Sequence, residues 1–489
     1  MTSLPDWLDP LYEAAEMRAA DTWAIEEQGV PQDDLMERAA LGLARVTAAA
    51  ARAGPVRIVA GKGNNGGDGR VAARLLAEDG HEVEVVDGTE PFDPERLAGS
   101  GAIVDALLGT GFEGEPREPV ASAIWAINRQ DAPVVACDVP SGVNASTGEV
   151  EAEAVRATLT ATFHGPKVGL FVEPGKGHAG GIDVVEIGIP RGAPAPAVAG
   201  LISERVLGLY PRRPRSGSKF ESGVVVVVGG SMGLTGAPTM AARSAQRAGA
   251  GYVQVAVPGP VQPAVDLRLL EQMSRGLPDD DGFHTPAGVA EVEQMAERAG
   301  AVVLGPGLGR AEGAQEFARG VAVAVEAPLL VDADGLNAHA GALELFRERE
   351  APTVLTPHEA ELGRLLALGS DEVAAHRLQH AREAAELSGA VVVLKGDDTI
   401  VARPDGVVAI SPGGTPALAT AGTGDVLSGL IGALLAKRLG PFEAAALGAL
   451  AHVLAARAAS ERLGPDHVMA GDVIEALPDG LTLRGERRR

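Results

Sequence analysis

The chain is 489 residues long, and 42 Lys+Arg against 66 Asp+Glu leave a formal net charge of −24. That balance excludes a basic nucleic-acid-binding surface, and a hydrophobic content of 46% excludes a disordered chain. Glycine is abundant at 64 residues and aromatics amount to only 3%, so cores of Ala, Val and Leu with many tight turns are expected, and phosphate-binding loops are the first thing to seek.

No apolar run approaches the roughly 18–20 residues of a membrane-spanning helix. The N-terminus MTSLPDWLDP lacks the basic and apolar regions of a signal peptide, and the single cysteine, Cys137, has no partner for an internal disulfide. A cytoplasmic protein with neither membrane nor nucleic acid as partner is expected.

After Leu11 the spacing of Ala14, Met17, Arg18, Asp21 and Ile25 predicts a helix with one apolar and one charged face, and a second helix runs from Asp33 through Ala51. An alternation follows: VRIVAG as a strand, GRVAARLLAEDG as a helix, HEVEVVDG as a strand. AIVDALLG and PVVACDVPSG are further strands with the helical AIWAINR between them, and ATLTATFHGPKVGLF and GIDVVEIGI add more. Between Pro190 and Gly223 the pattern fails in the Pro/Ala-rich RGAPAPAVAG and the basic PRRPRSGSK, which places a domain boundary near residue 210. The second half restarts with VVVVVGG, then AGYVQVAVP, AVVLGPGLG, PLLVDADG, PTVLTPHE, AVVVLKGDDT and VVAIS. Strands alternating with helices imply mostly parallel sheets, so both halves, 1–210 and 211–489, read as α/β nucleotide-type domains. The basic tail RGERRR reads as a solvated end.

GKGNNGGDG sits between a predicted strand and a predicted helix. Gly61, Gly63 and Gly66 hold the G-x-G-x-x-G spacing, with Asp87 about 20 residues further on at the end of the next strand. This is the context a dinucleotide fingerprint requires, although a glycine-rich turn with Asp68 as helix cap satisfies the same pattern. Asn64, Asn65 and Asp68 add directional oxygen and amide groups suited to a cation or to a ligand's hydroxyls. Asp105, and Asp138 with Ser141, close two more strands, and in a parallel sheet all three loops emerge at the carboxyl edge.

LYEAAEMRAAD, LMERAA, GNNGGDG, VDALLGTGFEG and DVPSGVNASTGEV together resemble the N-terminal domain of the NAD(P)H-hydrate epimerases, over Leu11 to Pro190. The resemblance implies a Rossmann-like three-layer domain that interconverts the R and S hydrates of NADH and NADPH. By it, Asn64, Asn65, Gly66, Gly67 and Asp68 contact the hydrated nucleotide, and Gly109, Thr110, Gly111, Phe112, Glu113, Gly114 and Glu115 form a second nucleotide loop. Asp138 lies at the reacting ring as acid or base, and Asn65, Asp105 and Ser141 hold K+.

In the second half, AGTGDVLSG precedes an apolar helical run. Gly422, Thr423 and Gly424 can present N–H groups to a phosphoryl group while Asp425 serves as base. In TPHEAEL, Thr356 as N-cap, Pro357 at N1 and Glu359 at N3 predict a capping box, which makes His358 weak evidence by itself. LKGDDT reads either as a phosphate cradle with Lys395 or as a plain strand-to-strand turn. With GSMGLTGAP, GPGLG and DADGLN, these motifs resemble the ADP- or ATP-dependent NAD(P)H-hydrate dehydratases of ribokinase-like fold, over Lys219 to Leu477.

That resemblance implies that Ala237, a glycine of the pair Gly307 and Gly309, His358 and Asp425 contact the S hydrate. Lys395, Gly396, Asp397, Asp398, Thr399 and Gly424 hold the adenine nucleotide, Mg2+ assists, and Asp425 is catalytic. The chain departs from the family at Ser218-Lys219-Phe220, where His-Lys-Gly is common, and at Leu234, where a tyrosine is common. The expectation is therefore a bifunctional isomerase and lyase that assembles as a homo-oligomer. The alternatives are an NAD(P)-dependent oxidoreductase fused to a small-molecule kinase, or a nucleotide-sensing module fused to the dehydratase.

Overall fold

The computed structural model describes residues 4–190, 192–193, 197–213 and 215–483; the tail RGERRR lies outside them. Two compact units emerge. One consists chiefly of Pro10–Gly200, with Ala374–Leu378, and the other of Leu201–Val373 and Gln379 onward, with Asp6–Asp9.

The first unit is built on six parallel strands in the spatial order Val83–Asp87, Val56–Ala60, Ala102–Ala106, Val134–Cys137, Leu159–Phe163 and Gly181–Val185. Side chains alternate between two cores, as a strand's period of two demands. Ile58, Val104 and Val135 face helices Gln32–Ala50 and Asn64–Glu78, where Leu35, Leu43, Ala72 and Leu76 are buried. Val59, Ile103 and Val134 face Ile124 and Ile127 of helix Val120–Ile127. Both faces are covered, which explains why these strands read as continuous apolar runs.

In this sheet Val56–Ala60, first in sequence, lies between Val83–Asp87 and Ala102–Ala106, second and third, so the direction of winding reverses there. Such a switch point opens a crevice beyond the carboxyl ends of the strands. The glycine loop crosses this crevice at very close range. A Cβ at Gly61 would lie 2.1 Å from the Leu107 carbonyl oxygen, and one at Gly66 would lie 2.0 Å from the Gly61 carbonyl oxygen.

In the second unit seven parallel strands run in the order Met273–Leu277, Tyr252–Pro258, Val224–Val228, Ala301–Leu304, Leu329–Val331, Thr353–Leu355 and Val391–Leu394. Ile400–Ala402 and Val408–Ile410 continue the sheet antiparallel. The expected strands are present, but Met273–Leu277 and Ile400–Ala402 were not foreseen. The first is a half-exposed strand with Ser, Arg and Gly in it, and the second has only three residues, so neither carries a period. LKGDDT is indeed the turn of an antiparallel hairpin.

Two sequence expectations need correction. The helix after TPHE begins at Glu359, with His358 as N-cap and Glu361 completing the capping box. Thr356 instead stays with the strand end, its amide bonded to the Val331 carbonyl and its hydroxyl to Asp332. Second, helix Pro441–Leu463 is long and apolar enough to span a membrane by length and composition, with mean hydropathy 1.3 over its richest window. It is a core helix of this unit, and 78% of that window is buried. Neighbouring helices also need small residues: a Cβ at Gly429 of helix Thr423–Ala436 would lie 2.0 Å from the Ala241 carbonyl oxygen of helix Gly236–Arg247.

Substituting Gly61→Ala drives a methyl group into a backbone carbonyl. It is expected to cost about 1–3 kcal/mol, seen as a lower urea midpoint for the first unit; an unchanged midpoint would show that the loop relaxes freely.

Candidate active sites

A cavity of about 810 Å³ lies at the switch point of the first unit. Its walls include Asn64, Asn65 and Asp68 of the glycine loop and its helix, Gly109 to Phe112, and Asp138. Gly66, Gly67, Glu113, Gly114 and Glu115 are not among its lining residues.

Asp138 follows the fourth strand with a positive φ of 66°, a conformation an aspartate tolerates only at some strain, and is 7% exposed. This turn directs its carboxylate into a dense set of donors. Oδ2 accepts from the Thr110 hydroxyl at 2.5 Å, and Oδ1 accepts from the Phe163 amide at 3.0 Å, the Thr162 hydroxyl at 3.2 Å and the Lys167 ammonium. Burial works to raise the Asp138 pKa, but the Lys167 charge and these hydrogen bonds outweigh it, so the carboxyl is held below its ordinary value.

Lys167 is itself only 1% exposed and also donates to the Phe163 carbonyl at 2.7 Å. It went unrecognised in the sequence, where HGPKVGLF reads as part of a strand region. The available signal was a lysine set in an otherwise apolar run, since lysines are rarely buried unless paired.

Asp68 faces the same cavity but has no cationic partner among the described residues. Burial, reinforced by the Asp138 and Asp21 charges, pushes its pKa up to about 7. Asp21, from the charged face of helix Ala14–Glu26, is raised as well, by burial first. The cavity thus combines one ionised, paired carboxylate with another poised near neutrality.

Beside it, Asp105 is fully buried and has no cationic side chain among the described residues. It accepts from the Ser141 amide at 2.8 Å and from the Ser141 hydroxyl at 2.6 Å, and burial lifts its pKa to about 6. Ser141 Oγ also accepts from the Leu108 amide at 2.9 Å, while Asn65 Nδ2 donates to the Leu108 carbonyl at 2.7 Å. Asn65, Asp105 and Ser141 are therefore brought together around Leu108.

The second unit gathers its motifs at the carboxyl ends of Val224–Val228, Ala301–Leu304, Leu329–Val331, Thr353–Leu355 and Val391–Leu394. Asp332, which the sequence reading did not single out, is the hub. It accepts from Lys395 Nζ at 2.9 Å, Thr356 Oγ1 at 2.9 Å and Ser428 Oγ at 2.6 Å. Lys395 also stands 3.6 Å from Glu361. Desolvation opposes its charge, but Asp332 and Glu361 raise its pKa, so it remains a cation.

A Cβ at Gly424 would lie 3.7 Å from Lys395 Nζ, which brings the lysine to the N-terminus of helix Thr423–Ala436. Asp425 is in that helix's first turn, and burial together with the Asp332 charge pushes its pKa up to about 7. Ala237 opens helix Gly236–Arg247 against Gly307, and the Gly309 amide donates to Asp334 at 3.0 Å. The half-exposed His358 is the N-cap already described, with its pKa lowered mainly by burial. In the hairpin turn, Thr399 Oγ1 bonds both Gly396 backbone groups, Asp397 accepts from the Gly414 amide at 2.8 Å, and Asp398 is buried.

A family described as NAD(P)H-hydrate dehydratase matches residues 225–479, and one described as YjeF-related protein N-terminus matches 32–98 and 86–169. The chain is 40% identical over 446 residues to the bifunctional NAD(P)H-hydrate repair enzyme Nnr of Salinibacter ruber, covering 80% of this chain and 81% of that protein. With the Nnr enzyme of Moorella thermoacetica it shares 38% identity over 96% of both chains. Among solved structures, the ADP/ATP-dependent NAD(P)H-hydrate dehydratase of Bacillus subtilis, co-crystallised with ATP and Mg2+, is 28% identical with a TM-score of 0.50, covering 57% of this chain and 95% of that one. A ribokinase-like superfamily protein of Enterococcus faecalis is 25% identical with the same TM-score, covering 58% and 95%. The two buried carboxylate sites thus lie in segments matched by two family descriptions, and the chain belongs to the bifunctional NAD(P)H-hydrate repair enzymes.

Proposed function

We propose that residues 1–210 epimerise the R and S hydrates of NADH and NADPH, and that residues 211–489 dehydrate the S hydrate at the expense of ADP or ATP. The observation that carries this reading is that each unit sets, at its strand ends, a carboxylate paired with a lysine beside a second carboxylate raised to about 7.

In the hydrate, the hydroxyl sits on a carbon next to the ring nitrogen. Asp68, protonated in part near pH 7, gives its proton to that hydroxyl. Water then leaves as the nitrogen lone pair forms a C=N bond. Water returns to the opposite face and gives a proton back to the carboxylate. Asp138, kept ionised by Lys167, offsets the positive charge of the intermediate. Asn65, Asp105 and Ser141 supply hard oxygen donors around an unpaired buried carboxylate, which fits K+. When bound, K+ would add fixed positive charge beside Asp105.

In the second unit Asp425 takes the proton from the S hydrate's hydroxyl as that oxygen attacks the terminal phosphoryl group. The amides from Gly422 to Gly424 and Lys395 face the phosphoryl charge. The ring nitrogen lone pair then expels phosphate, and loss of the neighbouring carbon's proton restores the dihydronicotinamide. No group of three or more His, Cys, Asp or Glu among the described residues is placed to hold a metal. Mg2+ bound with the nucleotide would supply positive charge against the phosphoryl group. A cytoplasmic location and homo-oligomeric assembly belong to the same reading.

Purified protein given mixed hydrates and ATP or ADP is expected to convert both epimers to NAD(P)H. With Asp138→Ala the R epimer should be lost only at its spontaneous rate, and Asp425→Asn should abolish nucleotide-driven dehydration. R consumption no faster than spontaneous in the native protein would refute the epimerase role. Because Asp425 must be ionised to act, amid Asp332, Asp334, Glu361 and Lys395, dehydratase kcat/KM should rise with pH up to about 7 and then level off.

Lys167→Met strands the Asp138 charge and should cost about 3–5 kcal/mol in urea unfolding, with part of the loss recovered by adding Asp138→Asn; no recovery would mean that the pair is not coupled. Exchanging K+ for Li+ should slow epimerisation, and Asp105→Asn should remove the difference between the two ions.

A further inference from the structure

The ends of the first two strands in the first unit form a second cluster of charge, which the chemistry above leaves unused. Ala60 is in register with Asp87, and the Gly88 amide donates to the Ala60 carbonyl at 3.0 Å, so the residues just beyond are held side by side. Those residues are Lys62 on one strand end and Thr89 on the other, and both line the cavity.

Asp87 is exposed and does not line the cavity. Its Oδ1 accepts from the Thr89 amide at 2.8 Å and the Thr89 hydroxyl at 2.7 Å. Lys62 and Arg70 are near enough for their charges to act on Asp87. Three basic side chains line the cavity: Arg18, Lys62 and Lys167. Lys167 is committed to Asp138, and Arg18 lies beside Gly111 on the other loop. Arg70 does not line the cavity, so Lys62 is the cavity-lining cation beside Asp87 and Thr89 at the second strand's end.

A dinucleotide with its reacting ring at Asp138 and its pyrophosphate at the N-terminus of helix Asn64–Glu78 directs its second ribose toward that strand end. An acidic residue at this position favours a free ribose 2′-hydroxyl and repels a 2′-phosphate, whereas a basic neighbour attracts the phosphate. This chain has both, and Thr89 already occupies one Asp87 oxygen. We propose that Lys62 and Thr89 form the subsite for the 2′-phosphate of hydrated NADPH, opposed by Asp87, so that the balance of these charges sets the choice between the two hydrates. The inference rests on the epimerase reading.

The test compares R-to-S conversion of NADPH hydrate and NADH hydrate, each above its spontaneous rate, in the full chain and in Lys62→Ala and Asp87→Asn. Lys62→Ala should lower the NADPH-to-NADH ratio of kcat/KM about tenfold, through KM for the NADPH hydrate. Asp87→Asn should raise the same ratio. If the native protein accelerates epimerisation yet both variants keep the native ratio, or shift it the opposite way, the subsite is overturned while the epimerase reading stands. If the native protein accelerates neither hydrate, it is the epimerase reading that fails.

Discussion

Carboxylates placed at or near the carboxyl ends of parallel strands must give up most of their hydration, because both faces of each sheet are covered and only the strand ends open to a cavity. The protein meets that cost differently at each position. Asp138 and Asp332 each take a lysine and a set of hydroxyl or amide donors, and at Asp138 these hold the carboxyl below its ordinary value. Asp105 receives only Ser141 and nearby amide donors, and its pKa climbs to about 6. At Asp68 and Asp425 burial and neighbouring carboxylates prevail, the latter despite the Lys395 charge, and both rise to about 7. Acid, base and electrostatic roles follow from how much compensation each carboxylate receives.

The same device serves two reactions on one substrate. In each unit a carboxylate paired with a lysine stands beside one whose pKa is raised to about 7, the arrangement on which the proposed proton transfers rest. Epimerisation without dehydration would leave the pool hydrated. Dehydration specific for one epimer would leave the other behind, so carrying both activities on one chain accounts for both hydrates.

The net charge of −24 is no obstacle to anionic ligands, because surface charge is screened within about 8 Å at physiological salt and the local field at each site is set by buried groups. Glycine contributes at two levels. Gly61 and Gly66 let the loop backbone pass directly over neighbouring carbonyls, and Gly429 lets two helices touch.

From the sequence alone, the alternation of strands and helices, the glycine loops and the carboxylates Asp105, Asp138 and Asp425 were legible, because periodicity and strand-end position are local properties. Strand order, and with it the switch point that opens the cavity, was decided only by the tertiary structure. So were the partners: Lys167 lies 29 residues from Asp138, and Asp332 lies 63 from Lys395 and 96 from Ser428. TPHE shows the same limit: the sequence pattern put the cap at Thr356, but the threonine hydroxyl is bonded to Asp332 at the strand end and His358 caps the helix instead. A pKa near 7 is a property of burial and of neighbours distant in the chain, so sequence could name Asp68 and Asp425 but could not say that they are raised while Asp138 is lowered.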